Sequence, residues 1–390
     1  MDTMRAAFTF GLVCLITTAC GRSHPGGPGD DGGPGRRDTG GPDSGPDCTP
    51  SPTDVDVLFV VDNSGSMGEE LESLAEQMPR FVRMLATGDL NGDGVVDVEP
   101  VTSLHIGLVT TDMGTGGFMI PTCREPNFGD DGILRTAGSM SIPGCAPSYP
   151  RFLEFAPPDG DPDTVARSFS CLVRGGTSGC GFEQQLEAGL KALTPASSDV
   201  VFTLGTLGHG DDANAGFLRA SSTLGVILVT DEEDCSVADP ELFNPASAVY
   251  PGDLNLRCFT YPDAAWPVSR YVNGLLALRA GHPAWLVYGL IAGVPVDLVE
   301  DPATTDYARI LLDDRMQERI DPDNPNRLQP SCNVPGRGVA FPPRRLVRVA
   351  QGLEGAGAST AVSSICQNDF TPAMDAILGR IGRLPVGCTH

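Results

Sequence analysis

The sequence predicts an α/β fold: a mainly parallel central sheet covered by helices on both faces, carrying long disulfide-bonded insertions. Three observations predict it. Continuous apolar runs such as VDVLFVV, GVILVT and WLVYGLIAGV have the length and composition of strands buried on both faces. Stretches with apolar residues at helical spacing alternate with them. Long Gly- and Pro-rich segments containing cysteines interrupt the alternation, and such segments inside a domain are functional or specially stabilised.

The elements follow in order. Folding is expected from about Asp54, with VDVLFVV as a first, fully buried strand. After a loop, EELESLAEQMPRFVRMLA places Leu71, Leu74, Met78, Phe81, Val82 and Leu85 at helical spacing. SLHIGLVTTD is the second strand. The alternation resumes with helix GFEQQLEAGLKAL, strand LGVILVTDEED, helix PVSRYVNGLLALRA, strand AWLVYGLIAGV and a closing helix around PAMDAILGRIG. One domain thus runs over 54–390, with insertions at about 113–165, 235–266 and 298–342. Within the first insertion, RFLEF (151–155) reads as a short edge strand. No repeat of fixed period is present.

The first twenty residues read as an export signal: Arg5 precedes the apolar run Ala6 to Ile16, which is too short to span a bilayer. The ending TTAC before Gly21 resembles a bacterial lipobox, which implies lipidation of Cys20. Thr17 stands where Leu is usual, and a plain cleaved signal is the alternative. Gly21 lacks the acidic residue associated with inner-membrane retention, so the expectation is an outer-membrane lipoprotein, held by its lipid alone, or otherwise a periplasmic or secreted chain. Residues 21–53 are dense in Gly, Pro and Asp and cannot offset the entropy of ordering. They read as a disordered tether with its ends roughly 30 Å apart, pinned only near Cys48.

The formal charge is −24, from 50 acidic and 26 basic residues. That balance argues against nucleic acid as a partner, since phosphates must be neutralised by Lys and Arg; it suits solubility or cation binding. Of the twelve cysteines, Cys14 and Cys20 belong to the signal, leaving an even set without a paired C-x-x-C. Such a set in an exported chain implies disulfides rather than zinc. Ten cysteines allow about 945 pairings. The shortest closures are Cys123–Cys145, Cys171–Cys180 and Cys235–Cys258, and a Cys171–Cys180 bridge would clamp the loop between them.

Ligands of open parallel sheets sit outside the carboxyl ends of the strands. There the first strand delivers Asp62, Ser64 and Ser66 in DNSGS, and the strand GVILVT ends on Asp231. Thr177 lies in GGTSG, ahead of a helix. Two carboxylates and three hydroxyls are hard oxygen donors suited to Mg²⁺ or Mn²⁺.

This combination of Asp62-x-Ser64-x-Ser66 after an apolar strand, a glycine-flanked Thr177 and a strand-ending Asp231 resembles the von Willebrand factor type A (vWA) domain and its metal-ion-dependent adhesion site. The resemblance covers roughly residues 54 to 390. It implies a Rossmann-like sheet, a divalent ion held by those five residues, and a protein or polysaccharide partner whose carboxylate completes the coordination shell. Glu232, Glu233 and Asp234 depart from the pattern, adding acids that would repel an acidic ligand or draw a second cation. The alternative is an envelope scaffold whose metals and disulfides are purely structural.

A second cation candidate is DLNGDGVVDVE. Asp89, Asn91, Asp93, Gly94 and Asp97 occupy the first, third, fifth, sixth and ninth places of a calcium loop, while Pro100 replaces the glutamate at the twelfth. Ca²⁺ is expected there; the bland reading is a solvated acidic turn.

Enzyme motifs are missing. There is no G-x-x-x-x-G-K-[ST], no H-E-x-x-H and no G-x-S-x-G elbow, and Ser64 takes the place of the second aspartate that a haloacid-dehalogenase phosphatase needs. His105 and His209 read as structural. The sequence therefore points to binding rather than turnover.

Overall fold

The computed structural model describes residues 52–301, 304–335 and 338–382. The signal, Cys20, Cys48 and residues 21–51 of the expected tether lie outside the described residues.

In chain order the elements are β1 (Asp54–Val61), α1 (Gly68–Thr87), β2 (Ser103–Thr110), β3 (Leu153–Phe155), α2 (Pro162–Val173), α3 (Gln185–Leu193) and β4 (Thr223–Val229). Then come α4 (Arg257–Thr260), α5 (Val268–Ala277), β5 (Leu286–Ala292), α6 (Tyr307–Leu312), β6 (Ile320–Asp321), β7 (Asn324–Leu328), β8 (Cys332–Val334), β9 (Gly338–Ala340), α7 (Arg344–Gly355), β10 (Ser359–Ser364) and α8 (Thr371–Ile381).

Six strands form the central sheet in the order β10-β5-β4-β1-β2-β3. All pairs are parallel except β2 with β3, the short edge strand. The sheet is buried on both sides because successive residues of one strand point to opposite faces. Val57 and Phe59 of β1 join a core with residues of α1, α2 and α8, whereas Leu58 and Val60 join another with α3, α5 and α7. Phe59 packs against Phe81 of α1 and Phe169 of α2, ring centroids 5.6 and 5.0 Å apart.

The register sets the functional edge. Val61 of β1 lies level with Thr110 of β2 and Val229 of β4, so the residues after these strands emerge side by side. The chain builds outward from β1 through β2 to β3, then returns to β4 on the other side of β1. The crevice between the ends of β1 and β4 is therefore the point where the order reverses, the place such sheets offer to ligands.

Residues 113–165, 235–266 and 298–342 follow the carboxyl ends of β2, β4 and β5 and thus share that edge. The first two stretches, with Cys180 and Phe182 of the loop before α3, build a small core around Ile120, Val237, Leu242 and Phe243. The third carries two hairpin-like pairs, β6 with β7 and β8 with β9.

Four disulfides join described residues: Cys123–Cys180, Cys145–Cys171, Cys235–Cys258 and Cys332–Cys366. Cys235–Cys258 is the expected pair. Cys123–Cys145 and Cys171–Cys180 are corrected: the four cysteines exchange partners, so the 113–165 stretch is stapled to both sides of the Thr177 loop. Sequence proximity misleads here because loop-closure cost grows only logarithmically, and the longer closures cost about 1 kcal/mol more per bridge. Burial of Cys123 and Cys180 in the small apolar core outweighs that. The disulfides place the folded part in an oxidising, extracytoplasmic environment. No helix among the described residues is long and apolar enough to cross a membrane.

Candidate cation-binding site

The strand ends explain the placement of the acids. Asp62 continues the β1–β4 ladder through its N–H, which donates to the Val229 carbonyl at 2.9 Å. Its side chain is fully buried. Oδ1 accepts the Ser64 N–H at 2.8 Å, and Oδ2 accepts the Thr230 hydroxyl at 2.7 Å. The first bond folds the DNSGS turn back over the strand end; the second ties that turn to β4. Within the turn, the Ser64 and Ser66 hydroxyls lie 3.1 Å apart.

Asp231 follows Thr230 and is buried, and its Oδ1 has no hydrogen-bond partner. Burial, reinforced by the neighbouring Asp62 charge, pushes its carboxyl up to about 7. Burial also raises Asp62, Glu183 and Glu232, the last two well above the usual carboxylate range, with Asp62 and Asp231 adding repulsion. No Lys or Arg side chain pairs with Asp62 or Asp231 among the described residues. A buried, unpaired carboxylate is costly unless a cation or proton meets it.

The Thr177 loop is brought to the same turn. Gly179 N–H donates to the Asn63 carbonyl at 2.9 Å, and Arg135 donates to the Gly175 carbonyl at 2.6 Å. Two glycines of GGTSG have specific reasons. Gly176 sits at φ 105°, in the left-handed region, and a Cβ on Gly179 would lie 2.1 Å from Asn63 Oδ1. Thr177 is half-buried, and its hydroxyl makes no hydrogen bond within the described residues.

Sequence reading passed over Asp112. It stands two residues beyond the end of β2, one place further out than Asp62 beyond β1, and the signal was there in LVTTD. Its carboxylate accepts the N–H of Gly114 at 2.9 Å and that of Cys180 at 3.1 Å, bracing the Thr177 loop from below. Of the three acids beyond Asp231, Asp234 pairs with Arg345 at 3.0 Å and Glu233 accepts the Arg345 N–H at 2.9 Å. Only Glu232 is left without a hydrogen bond to its carboxylate.

The donor set of Asp62, Ser64, Ser66, Thr177 and Asp231 is all oxygen, and the orphaned Asp231 Oδ1 fits a hard divalent ion. Among the described residues no group of three or more His, Cys, Asp or Glu is gathered for a metal, so the hydroxyls are essential to any such site.

The acidic turn after α1 closes on its own backbone. Asp89 accepts from the N–H groups of Gly92, Asp93 and Gly94, Asn91 from Asp93, Asp93 from Val95, and Asp97 from Leu90. Gly94 takes φ 87°, the sharp bend a calcium loop has at its sixth place. His105 and His209 are both held in side-chain networks, by the Phe217 carbonyl at 2.8 Å and by Asp131 at 3.0 Å.

No family model and no curated protein matches the chain. Among solved structures it is similar to proximal thread matrix protein 1 of the mussel byssus, at 13% identity and a TM-score of 0.27, over 62% of this chain and 38% of that one. It is also similar to a mutant of the PilB minor pilin from Streptococcus sanguinis, at 9% identity and a TM-score of 0.34, over 84% and 60%. The chain thus spans less than two thirds of either relative, and likenesses at these scores carry no argument about function.

Proposed function

We propose that this chain is an exported binding module of the vWA type, with a Rossmann-like sheet and a Mg²⁺ or Mn²⁺ site at Asp62, Ser64, Ser66, Thr177 and Asp231. The observation that carries the reading is the buried Asp231 Oδ1, which lacks any hydrogen-bond partner at the strand-order reversal, next to Asp62 and two serine hydroxyls. When bound, the ion would offer an open coordination position to a ligand oxygen. Asp62 holds the turn through its two hydrogen bonds; Ser64 and Ser66 supply neutral donors, which leave a cation most of its charge for a partner's carboxylate. The partner in this reading is a protein or a polysaccharide, met outside the inner membrane. Attachment through a lipidated Cys20 to the outer membrane belongs to the same proposal and rests on the sequence alone.

The test is a calorimetric titration of the metal-free full chain, disulfides intact, with Mg²⁺, Mn²⁺ and Ca²⁺, beside an Asp62→Ala, Ser64→Ala variant. Loss of one binding event in a variant that still folds supports the reading. Identical titrations refute it and favour the envelope scaffold.

Ca²⁺ in the 89–97 turn is a separate proposal, supported by the spacing and by Gly94. Three backbone N–H groups hold the Asp89 carboxylate, two on Oδ1 and one on Oδ2, so Oδ2 keeps a lone pair for an ion.

A further inference from the structure

The four bridges leave two cysteines over. Of the twelve in the sequence, Cys14 and Cys20 fall in the stretch read as an export signal and eight are paired, so Cys48 and Cys388 remain. Both lie outside the described residues, but the described chain beside each shows where it leaves the fold.

On the amino-terminal side, Pro52 and Thr53 are fixed at the edge of the sheet opposite the cation site. The Pro52 carbonyl accepts the Thr223 hydroxyl at 3.3 Å, at the start of β4. The Thr53 carbonyl accepts the Thr102 N–H at 3.0 Å, just ahead of β2. The carboxyl-terminal side arrives at the same edge. α8 sets Ile381 against Gly225, near the start of β4, its Cδ1 3.6 Å from where a Cβ on that glycine would stand. A Cβ on Gly382 would lie 3.0 Å from Val98, in the connection that leads to Thr102.

Val98 and Thr102 are thus neighbours of Gly382 and Thr53, and the chain between them extends to at most about 14 Å. From Thr53 back to Cys48 the chain reaches about 17 Å, and from Gly382 on to Cys388 about 20 Å. Those reaches together exceed the gap, and a bridge itself spans about 5.5 Å between Cα atoms. In the oxidising environment that the other bridges mark, two thiols within mutual reach are oxidised.

We propose that Cys48 and Cys388 form a fifth disulfide, tying the end of the expected tether to the segment after α8. The two thiols give up two protons and two electrons to a disulfide oxidant, which is reduced to a dithiol as one S–S bond breaks and another forms. Tension arriving through residues 21–47 is then shared between α8 and β1, the strand that leads to Asp62. The proposal does not rest on the divalent-cation reading.

The test is peptide mapping of the full exported chain, purified without reductant and alkylated before digestion with trypsin. Cys48 then falls in residues 38–80 and Cys388 in residues 384–390, neither peptide holding a second cysteine. The expected product is these two peptides joined, two hydrogens lighter than their sum and separated by reductant, from a chain that runs as a monomer without reductant. In Cys48→Ser, Cys388 should become alkylated where the wild type shows no alkylation of it. Alkylated Cys48 and Cys388 in the wild type, a link from either to any other cysteine, or the same link found only in a covalent dimer would each overturn the proposal. The mapping is made on the wild type, so it decides the matter even if the variant folds poorly.

Discussion

Gly179 and Asn63 meet backbone to backbone: the Gly179 N–H donates to the Asn63 carbonyl at 2.9 Å, and no room is left for a Cβ between them. This contact docks the Thr177 loop on the DNSGS turn. Gly179→Ala is expected to cost about 1–3 kcal/mol of stability through overpacking. It should also weaken Mg²⁺ or Mn²⁺ binding about tenfold by displacing one hydroxyl donor. Chemical denaturation and calorimetry on the same protein check both parts; unchanged metal affinity would remove Thr177 from the donor set.

The acids at the strand ends give a pH dependence with a definite sign. Asp231 has a folded pKa of about 7 against an ordinary 3.8. Between those values the folded chain holds the proton more tightly than the unfolded one, so this contribution to stability is complete below the lower value and is lost as pH rises through the upper. In EDTA the melting temperature should therefore fall from pH 5 to pH 8. Asp231→Asn should flatten the decline, and added Mg²⁺ should restore stability at pH 8. Thermal melts across that range decide it.

Removal of the Cys123–Cys180 bridge by a double serine substitution should cost about 2–4 kcal/mol, and removal of Cys145–Cys171 a similar amount. Their effects on the site should differ. Cys180 directly follows Gly179, so the first variant loses metal affinity as well as stability, whereas the second retains most of its affinity. Titration of both variants below their melting temperatures separates the two contributions.

Lys191 is a buried lysine, bound to Asp131 and, at 2.8 Å, to the Thr206 hydroxyl. Burial would raise Asp131, but hydrogen bonds from His209 and Lys191 outweigh it and hold the carboxyl below its usual value. Lys191→Met should destabilise by about 3–5 kcal/mol because it strands a partly buried charge. Adding Asp131→Asn should recover part of the loss, an outcome that urea denaturation of the three proteins would reveal.

In the turn after α1, Ca²⁺ should raise the melting temperature of the wild type, and the rise should vanish in Asp89→Ala, Asp93→Ala. A variant that still responds to Ca²⁺ would show that the ion acts elsewhere.

The sheet was legible where strands are apolar throughout. β1, β2, β4 and β5 announce themselves because both faces are covered, and Asp62 and Asp231 stand out by ending two of them. β10 was hidden, since STAVSS looks like a polar turn; its Thr360 is buried all the same, its hydroxyl donating to the Glu354 carboxylate and lying within hydrogen-bond distance of the Tyr307 hydroxyl. α7 was missed just beyond the last expected insertion. Its Leu346, Val347, Ala350 and Leu353 do follow helical spacing, behind an opening of two prolines and two arginines. α2 carried a readable start in Asp161, whose side chain caps the helix, and Pro162 in its first turn. The exchanged cysteine partners depend on how the long stretches fold back, which no local pattern records.

Because the three long stretches all leave from one edge of the sheet, variation in their outer parts is gathered at that edge. The parallel ladder and its two packed faces would tolerate changes of length and chemistry in the parts of those stretches that pack outside them, provided the edge strand β3 and the core residues Leu134, Tyr307, Ile310 and Met316 are kept. A set of chains sharing this frame could therefore diversify in what they recognise while inheriting one stable body, and the same property makes the protein a scaffold on which new loops can be grafted.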